Sequence, residues 1–164
     1  MSDRLWAPWR MQYILGPKNT ECIFCEFSSA PPAAYREKLI LAVLPHALVC
    51  LNKYPFAPSH VLVAPRRHVA DFADLPLEEY DATQRLVREV AARVRRATGA
   101  EGLNVGFNLG AAAGAGIADH LHGHVVPRWN GDTNFMPLLA DTHVIPQALE
   151  ATRAILADAI AQLP

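Results

Sequence analysis

The stretch Asp119-His-Leu-His-Gly-His-Val-Val-Pro-Arg128 contains the strongest pattern in this chain. Its three histidines, His120, His122 and His124, occupy alternate positions. Alternate residues of a β-strand point to the same face, so the pattern predicts a strand that carries three imidazoles on one face, about 6.6 Å apart. Buried polar groups need partners, and packing alone is therefore a poor explanation for three histidines in register. We interpret the stretch as a functional site.

Two kinds of chemistry remain open for the three histidines. His-x-His is a common arrangement in catalytic metal sites, which keep an open coordination position for water. Alternatively, one neutral imidazole is a nucleophile, and its neighbours orient it and handle the charge that develops during reaction. The histidine pattern alone is compatible with both.

Composition limits the possible partners. The chain has 164 residues, of which 51% are hydrophobic and 19% are charged, as expected for one globular domain. The net charge of −1 does not indicate general nucleic-acid binding. No apolar run reaches the roughly 18 residues of a membrane span, and the first six residues lack the apolar core of a signal peptide. We expect a cytoplasmic protein with neither nucleic acid nor membrane as partner.

A second candidate site is Cys22-Ile-Phe-Cys25. In a cytosolic chain, this spacing indicates a metal clip or a redox pair more often than a disulfide. A redox pair is typical of a thioredoxin-like context, which is not evident here. Two further ligands would complete a tetrahedral zinc site, and the histidines of the chain can supply them. Cys50 lies in an apolar run and is predicted to be a buried small hydrophobic residue.

Hydrophobic periodicity predicts a mixed fold. Short apolar runs separated by Pro- and Asn-containing turns favour an antiparallel meander of three strands at residues 39–44, 47–51 and 60–64. A further strand is predicted at residues 103–108. Apolar residues at helical spacing predict a long helix from Pro76 to Thr98, with Pro76 in its first position and Gly99 as its stop. A second helix is predicted at residues 148–163.

A glycine-rich loop, Leu109–Gly116, leads into the histidines. Small residues allow backbone N–H groups to approach a phosphate closely. The loop lacks the Lys-Ser/Thr of a P-loop. Its position directly before the histidines favours a phosphate-binding role.

The histidine stretch resembles the defining motif of the histidine triad superfamily, His-φ-His-φ-His-φ-φ with φ apolar. Asn52 followed by residues 60–68 is similar to the nucleotide-binding hairpin of that family, and the Cys22-x2-Cys25 clip is similar to its zinc-bearing bacterial branch. The resemblance covers roughly residues 20 to 135. Residues 124–129 and 131–136 most resemble the branch of diadenosine tetraphosphate phosphorylases and ATP adenylyltransferases.

This resemblance implies an α+β fold with an antiparallel meander sheet, one long helix and a C-terminal helix. It also implies a homodimer in which the two sheets join into one. We expect a single domain over residues 1–164, with its core at about 20–135. The aromatic-rich segment 6–13 is expected to be an arm that packs against the domain or a second subunit.

The resemblance further implies cleavage of a dinucleoside polyphosphate, such as diadenosine tetraphosphate, or of a related nucleotide at the α-phosphate. His122 would be the nucleophile and would carry a covalent nucleotidyl group, which water or phosphate then resolves. His124 would contact the phosphate oxygens or the leaving group, and His60 would support the triad from behind. Backbone N–H groups and a second, protonated imidazole could stabilise the phosphoryl charge.

The remaining site residues are also implied by the resemblance. Asn52 would hold the ribose, and the phosphate pocket would be lined by Asn108 and by the loop amides at Gly114 and Gly116. A structural zinc ion would be held by Cys22, Cys25, His68 and His120.

Three positions depart from the family pattern. Gly123 replaces an apolar residue, which is expected to weaken the strand slightly and to leave room beside the triad. Gly116 and Ile117 replace the Gln and Ser or Thr that assist the leaving group in many members. Their absence disfavours a phosphoramidate hydrolase and fits a polyphosphate leaving group better. Two alternatives remain: a catalytically weak nucleotide-binding or interaction protein, and a metallohydrolase with its ion on the triad.

Overall fold

The computed structural model describes residues 22–132, 147–161 and 163. In these residues the chain forms one antiparallel sheet and three α-helices. The helices are α1 (Ile23–Ser29), α2 (Leu77–Thr98) and α3 (Leu149–Ala161). The strands are β1 (Ile40–Val43), β2 (Ala47–Leu51), β3 (Val61–Pro65), β4 (Gly102–Phe107) and β5 (Gly123–Arg128). The predicted arm at residues 6–13 lies outside the described residues.

The strands are ordered β1-β2-β3-β5-β4, and every neighbouring pair is antiparallel. Strands β1 to β3 form the predicted meander. The chain then passes through α2 to the edge strand β4 and returns along β5, which lies between β3 and β4. The α+β fold predicted from the sequence is confirmed. No helix in the described ranges is both long and apolar enough to span a membrane.

Helix α2 covers one face of the sheet. Its apolar stripe, including Val90 and Val94, packs against inward-facing residues of β3 and β5 and against Leu156 and Ile160 of α3. The helix begins one residue later than predicted, because Pro76 is its N-cap. It ends where predicted: Gly99 adopts the left-handed conformation (φ 64°) that a side chain would oppose.

The short helix α1 covers the opposite face. Its buried residue Phe24 packs with Leu48, Cys50, Leu62 and Ala64. Both faces of β2 and β3 are therefore covered, which explains their uninterrupted apolar sequences. Cys50 is buried as predicted, and burial raises the pKa of its thiol to about 12. The apolar pattern did not predict α1.

The histidine strand is shorter than predicted. Strand β5 begins at Gly123, so His120 and His122 precede it and only His124 lies in the strand. The ladder stops there because the neighbouring backbone has other partners. Leu121 N–H donates to the carbonyl of Val69, and the carbonyl of Pro65 accepts from the His120 side chain.

The space expected beside Gly123 is filled by an aromatic ring. A Cβ atom at this position would lie 2.8 Å from Cζ of Phe107, its cross-strand partner on β4. The Phe107 ring also packs edge-on against Phe72, with centroids 4.9 Å apart. A side chain at position 123 would therefore force the Phe107 ring to move.

We expect Gly123→Ala to lower the free energy of unfolding by about 1–3 kcal/mol, because the added methyl group overpacks the Phe107 ring. Urea denaturation of the metal-loaded protein measures the effect. Gly102→Ala is the matched control, since its nearest contact would be an ordinary 3.8 Å. Adding Phe107→Leu to the Gly123→Ala variant should recover part of the loss; equal stability of the two single glycine variants would contradict the packing argument.

Candidate active site and metal centre

The four predicted metal ligands lie together, although they come from three separate parts of the chain. One ligand atom from each of Cys22, Cys25, His68 and His120 lies within 4.8 Å of all the others. Cys22 Sγ is 3.1 Å from His120 Nδ1, Cys25 Sγ is 3.3 Å from His68 Nδ1, and the two Nδ1 atoms are 3.2 Å apart. A tetrahedral zinc ion needs ligand separations of about 3.3–3.8 Å, so the cluster fits such an ion after small adjustments.

The protonation state of His120 suits metal binding. Its Nε2–H donates to the carbonyl of Pro65 at 2.9 Å, and a carbonyl can only accept. The lone pair is therefore on Nδ1, which faces the two cysteines. Burial lowers the pKa of His120 and so favours the neutral form that a metal requires.

The thiols of the clip also fit this interpretation. Burial raises the pKa of Cys25, and the adjacent Cys22 raises it further. A bound cation would reverse this effect and stabilise both thiolates. Nδ1 of His120 faces the cysteines and its Nε2–H donates to the Pro65 carbonyl, so neither nitrogen is left to share an ion with His122 and His124. The geometry disfavours the triad metallohydrolase.

His122 is 4% exposed, and one backbone contact determines which of its ring nitrogens carries a proton. Its Nδ1 lies 2.8 Å from the carbonyl oxygen of His120 and must donate a proton to it. In the neutral form of the ring, the lone pair is therefore on Nε2. A neutral imidazole with a fixed tautomer is what a nitrogen nucleophile needs.

A chain of hydrogen bonds fixes the tautomer of His124. The backbone N–H of Phe56 donates to His60 Nδ1 at 3.1 Å, and the Asn52 amide lies 3.3 Å from the same atom. His60 Nε2–H must then donate to His124 Nδ1, 3.0 Å away, which leaves the proton of His124 on Nε2. Within the described residues, this buried Nε2–H has no acceptor. An oxygen of a bound ligand could accept this proton.

Both members of this pair are held neutral. Burial, followed by the charges of neighbouring histidines, lowers the pKa of His60 to about 3 and that of His124 to about 4. The lowered pKa of His124 favours a neutral second imidazole when no ligand is bound. His124 acts as a hydrogen-bond donor through a neutral N–H. Its ring centroid is 5.0 Å from that of His122.

Among the predicted nucleotide-binding residues, Asn52 contacts this pair through His60. Asn52 Oδ1 accepts from Tyr54 N–H at 2.9 Å, so both ends of the Asn52 amide help to hold the β2–β3 loop. Asn108 follows β4, and the loop after it runs directly to the triad. In that loop, Gly114 and Gly116 are exposed, and Gly114 has a left-handed φ of 87°.

Ile117 belongs to the apolar packing of the protein. Its half-buried side chain packs against the apolar cluster beneath α1. This hydrocarbon side chain has no N–H or O–H group that could donate a hydrogen bond to a leaving group. Position 117 therefore supplies apolar packing and no side-chain hydrogen bond.

Sequence reasoning missed two aromatic residues. Phe56 donates its backbone N–H to His60 and stacks on the same ring, with centroids 5.1 Å apart. Phe24 contacts the rings of His120 and His122, each at 5.1 Å. The place of Phe24 inside the cysteine clip was a usable signal; the backbone contact of Phe56 has no sequence signature.

Comparison with known proteins agrees with this geometry. The family model of the HIT domain matches residues 36–131, which include the triad, His60 and His68. This chain belongs to the HIT family. It is 36% identical over 168 residues to a Mycobacterium tuberculosis protein named AP-4-A phosphorylase, an alignment that covers 99% of this chain and 86% of the relative.

Solved structures of HIT proteins share the fold. A Zn-bound histidine triad family protein from Mycobacterium smegmatis superposes with a TM-score of 0.67 at 31% identity, covering 87% of this chain and 94% of that one. Plasmodium falciparum diadenosine triphosphate hydrolase has a TM-score of 0.61 at 18% identity, covering 76% and 77%. The latter likeness shows the fold alone.

We expect the purified protein to contain one tightly bound metal ion per chain. The substitutions Cys22→Ser and Cys25→Ser should each release the ion, because each removes one of its four ligands. Elemental analysis by mass spectrometry after gel filtration measures the content. Cys50→Ala removes a buried cysteine outside the clip and should retain the ion. If a variant that carries both Cys22→Ser and Cys25→Ser kept its full metal content, the ion would be bound elsewhere.

Proposed function

We propose that this HIT protein is a nucleotidyltransferase that cleaves a dinucleoside polyphosphate, such as diadenosine tetraphosphate, at the α-phosphate. One observation carries the proposal: the free lone pair on His122 Nε2 lies beside a buried N–H donor on His124 that has no acceptor among the described residues. A nucleophile next to a preorganised donor suits phosphoryl chemistry. The name of the mycobacterial relative supports this substrate class.

In the first step, His122 Nε2 attacks the α-phosphorus. A P–N bond forms, the bridging P–O bond breaks, and ATP leaves from diadenosine tetraphosphate. The ring of His122 becomes cationic, and its Nδ1–H bond to the His120 carbonyl is strengthened by that charge. His124 Nε2–H donates to a phosphoryl oxygen or to the leaving oxygen, without itself having to become charged.

In the second step, inorganic phosphate attacks the adenylyl-His122 intermediate, the P–N bond breaks, and ADP leaves. Water in place of phosphate would give AMP. A polyphosphate is a good leaving group without strong protonation, whereas an amine must be protonated to leave. The apolar Ile117 therefore favours a polyphosphate substrate over a phosphoramidate.

The other site residues complete the substrate pocket in this proposal. Asn52 contacts the ribose with the hydrogen-bonding capacity that the β2–β3 loop leaves unused. Asn108 and the backbone N–H groups near Gly114 and Gly116 bind the phosphate chain. The positive φ of Gly114 supports this, because such a backbone can turn an amide towards an anion.

The metal in this proposal is zinc, bound by Cys22, Cys25, His68 and His120. The Zn-bound relative and the two-thiolate, two-imidazole donor set support zinc over harder cations. Such a site has no open coordination position, so the ion is structural. It ties α1 and the segment after β3 to the start of the histidine stretch.

We also propose a homodimer in which the two sheets meet at β4. This strand is a sheet edge, and its central residues Asn104, Val105 and Gly106 are exposed. The other edge, β1, is half-buried to fully buried. Exposed edges with an apolar residue such as Val105, 48% exposed, readily add a strand from another chain.

For the dimer, we expect Val105→Lys to shift the protein to monomers, because the charge would be buried opposite its symmetry-related copy. Sedimentation velocity at micromolar concentrations measures the state. Ile155→Lys, at an exposed apolar residue of α3, should remain dimeric. A monomeric wild-type protein, or dimers in both variants, would count against β4 as the interface.

For the reaction, we expect diadenosine tetraphosphate with inorganic phosphate to yield ADP and ATP. The substitution His122→Ala should lower turnover at least about 10³-fold, because it removes the nucleophile. Chromatography of the products, and mass spectrometry of the alkali-quenched protein for an adenylyl group on His122, measure both. His46→Ala changes a histidine outside the site and should keep wild-type activity.

The same experiment separates the alternatives. AMP and ATP formed without phosphate would establish a hydrolase with the same intermediate. Hydrolysis of adenosine phosphoramidate in preference to the dinucleotide would overturn the substrate assignment. Nucleotide binding without turnover or adduct would mean a binding protein on this fold.

A further inference from the structure

Phe24 lies between the two parts of the site. It sits inside the cysteine clip, between Cys22 and Cys25, and its side chain is completely buried. Its ring contacts His120, which belongs to the metal cluster, and His122, which carries the free lone pair. A single side chain thus touches both a predicted metal ligand and the proposed nucleophile.

The position of Phe24 depends on the clip. Helix α1 has only seven residues, and its N-cap, Cys22, makes no side-chain capping bond. A helix this short is not stable alone. Its placement comes from the packing of Phe24 on the apolar cluster and from the two cysteines that meet His68 and His120. Fixing the cysteines therefore fixes the ring of Phe24.

The orientation of His122 needs more than its hydrogen bond. The Nδ1–H contact to the His120 carbonyl fixes one edge of the imidazole, but the ring can still tilt about this bond. Within the described residues, its ring neighbours are His124, at 5.0 Å, and Phe24, at 5.1 Å with an interplanar angle of 37°. His124 is held from the β2–β3 loop through His60. Phe24 is the contact that comes from the clip.

We propose that Phe24 is a positioning residue through which the metal clip holds the imidazole of His122 in its reactive orientation. The flat, buried ring limits the tilt of His122 and keeps Nε2 directed at the phosphorus. Nitrogen attack requires alignment with the breaking P–O bond, and small misplacements of a reacting group lower rates strongly. The metal thereby contributes to catalysis through packing, although it touches no reacting atom. The kinetic part of this inference rests on the proposed function.

The test compares Phe24→Leu with Phe27→Leu in the metal-loaded protein. Phe27 lies on the same helix and packs against the same cluster, but it has no ring contact with a histidine in the described part of the chain. We expect Phe24→Leu to retain the metal and to lower kcat about tenfold or more with KM nearly unchanged. Phe27→Leu should keep both parameters near wild type.

A second measurement needs no turnover. Long-range ¹H–¹⁵N spectra of the histidine rings should show His122 of the wild type as a single Nδ1–H tautomer. Phe24→Leu should broaden or shift these signals because the ring can tilt, and Phe27→Leu should leave them unchanged. If the protein proves inactive on nucleotides, the spectra still decide this inference separately from the proposed function.

Phe24→Met serves as a second variant in case the Leu substitution disturbs the clip. Unchanged His122 signals and unchanged kcat in a metal-loaded Phe24 variant would overturn the inference. Equal losses in the Phe24 and Phe27 variants would also overturn it, as would loss of the metal in both Phe24 variants. Either result would mean that the side chain stabilises the clip in general and does not position His122.

Discussion

The site depends on the hydrogen bond from His120 Nε2–H to the carbonyl of Pro65. This bond leaves the His120 lone pair on Nδ1, where the cysteine clip can use it. It also occupies a carbonyl at the end of β3, beside the point where the ladder between β3 and β5 stops. The backbone of His120 is then free of the sheet, and its own carbonyl accepts the proton of His122.

Two independent supports meet at His122. One comes from the N-terminal clip through His120 and Phe24. The other comes from the β2–β3 loop, where the backbone of Phe56 sets the tautomer of His60 and His60 sets that of His124. In the first support, the His120 carbonyl can only accept, so the proton of His122 is on Nδ1. In the second, the Phe56 N–H can only donate, so the proton of His60 is on Nε2. The result is a nucleophile with a free lone pair next to a neutral donor, which costs no charged group in a buried site.

The departures from the family motif have different physical consequences. Gly123 is compensated, because Phe107 fills the volume that a side chain would occupy. At position 117, the side chain of Ile117 joins an apolar cluster, and its packing does not replace a hydrogen bond. A leaving group that departs without a proton is compatible with both changes. The apolar Ile117 therefore supports the choice of a polyphosphate leaving group.

The sequence by itself determined the features that depend on local pattern. The helix from Leu77 to Thr98, the meander of β1 to β3 and the four residues of the metal cluster could be predicted, the last through a family resemblance. Only the tertiary structure decided three features: which ring nitrogen carries the proton in His60, His120, His122 and His124, where β5 begins, and that Phe24 touches the triad. A tautomer is set by the atom opposite the ring, and for His120 that atom lies 55 residues away in the chain. Short-range patterns cannot report such a partner.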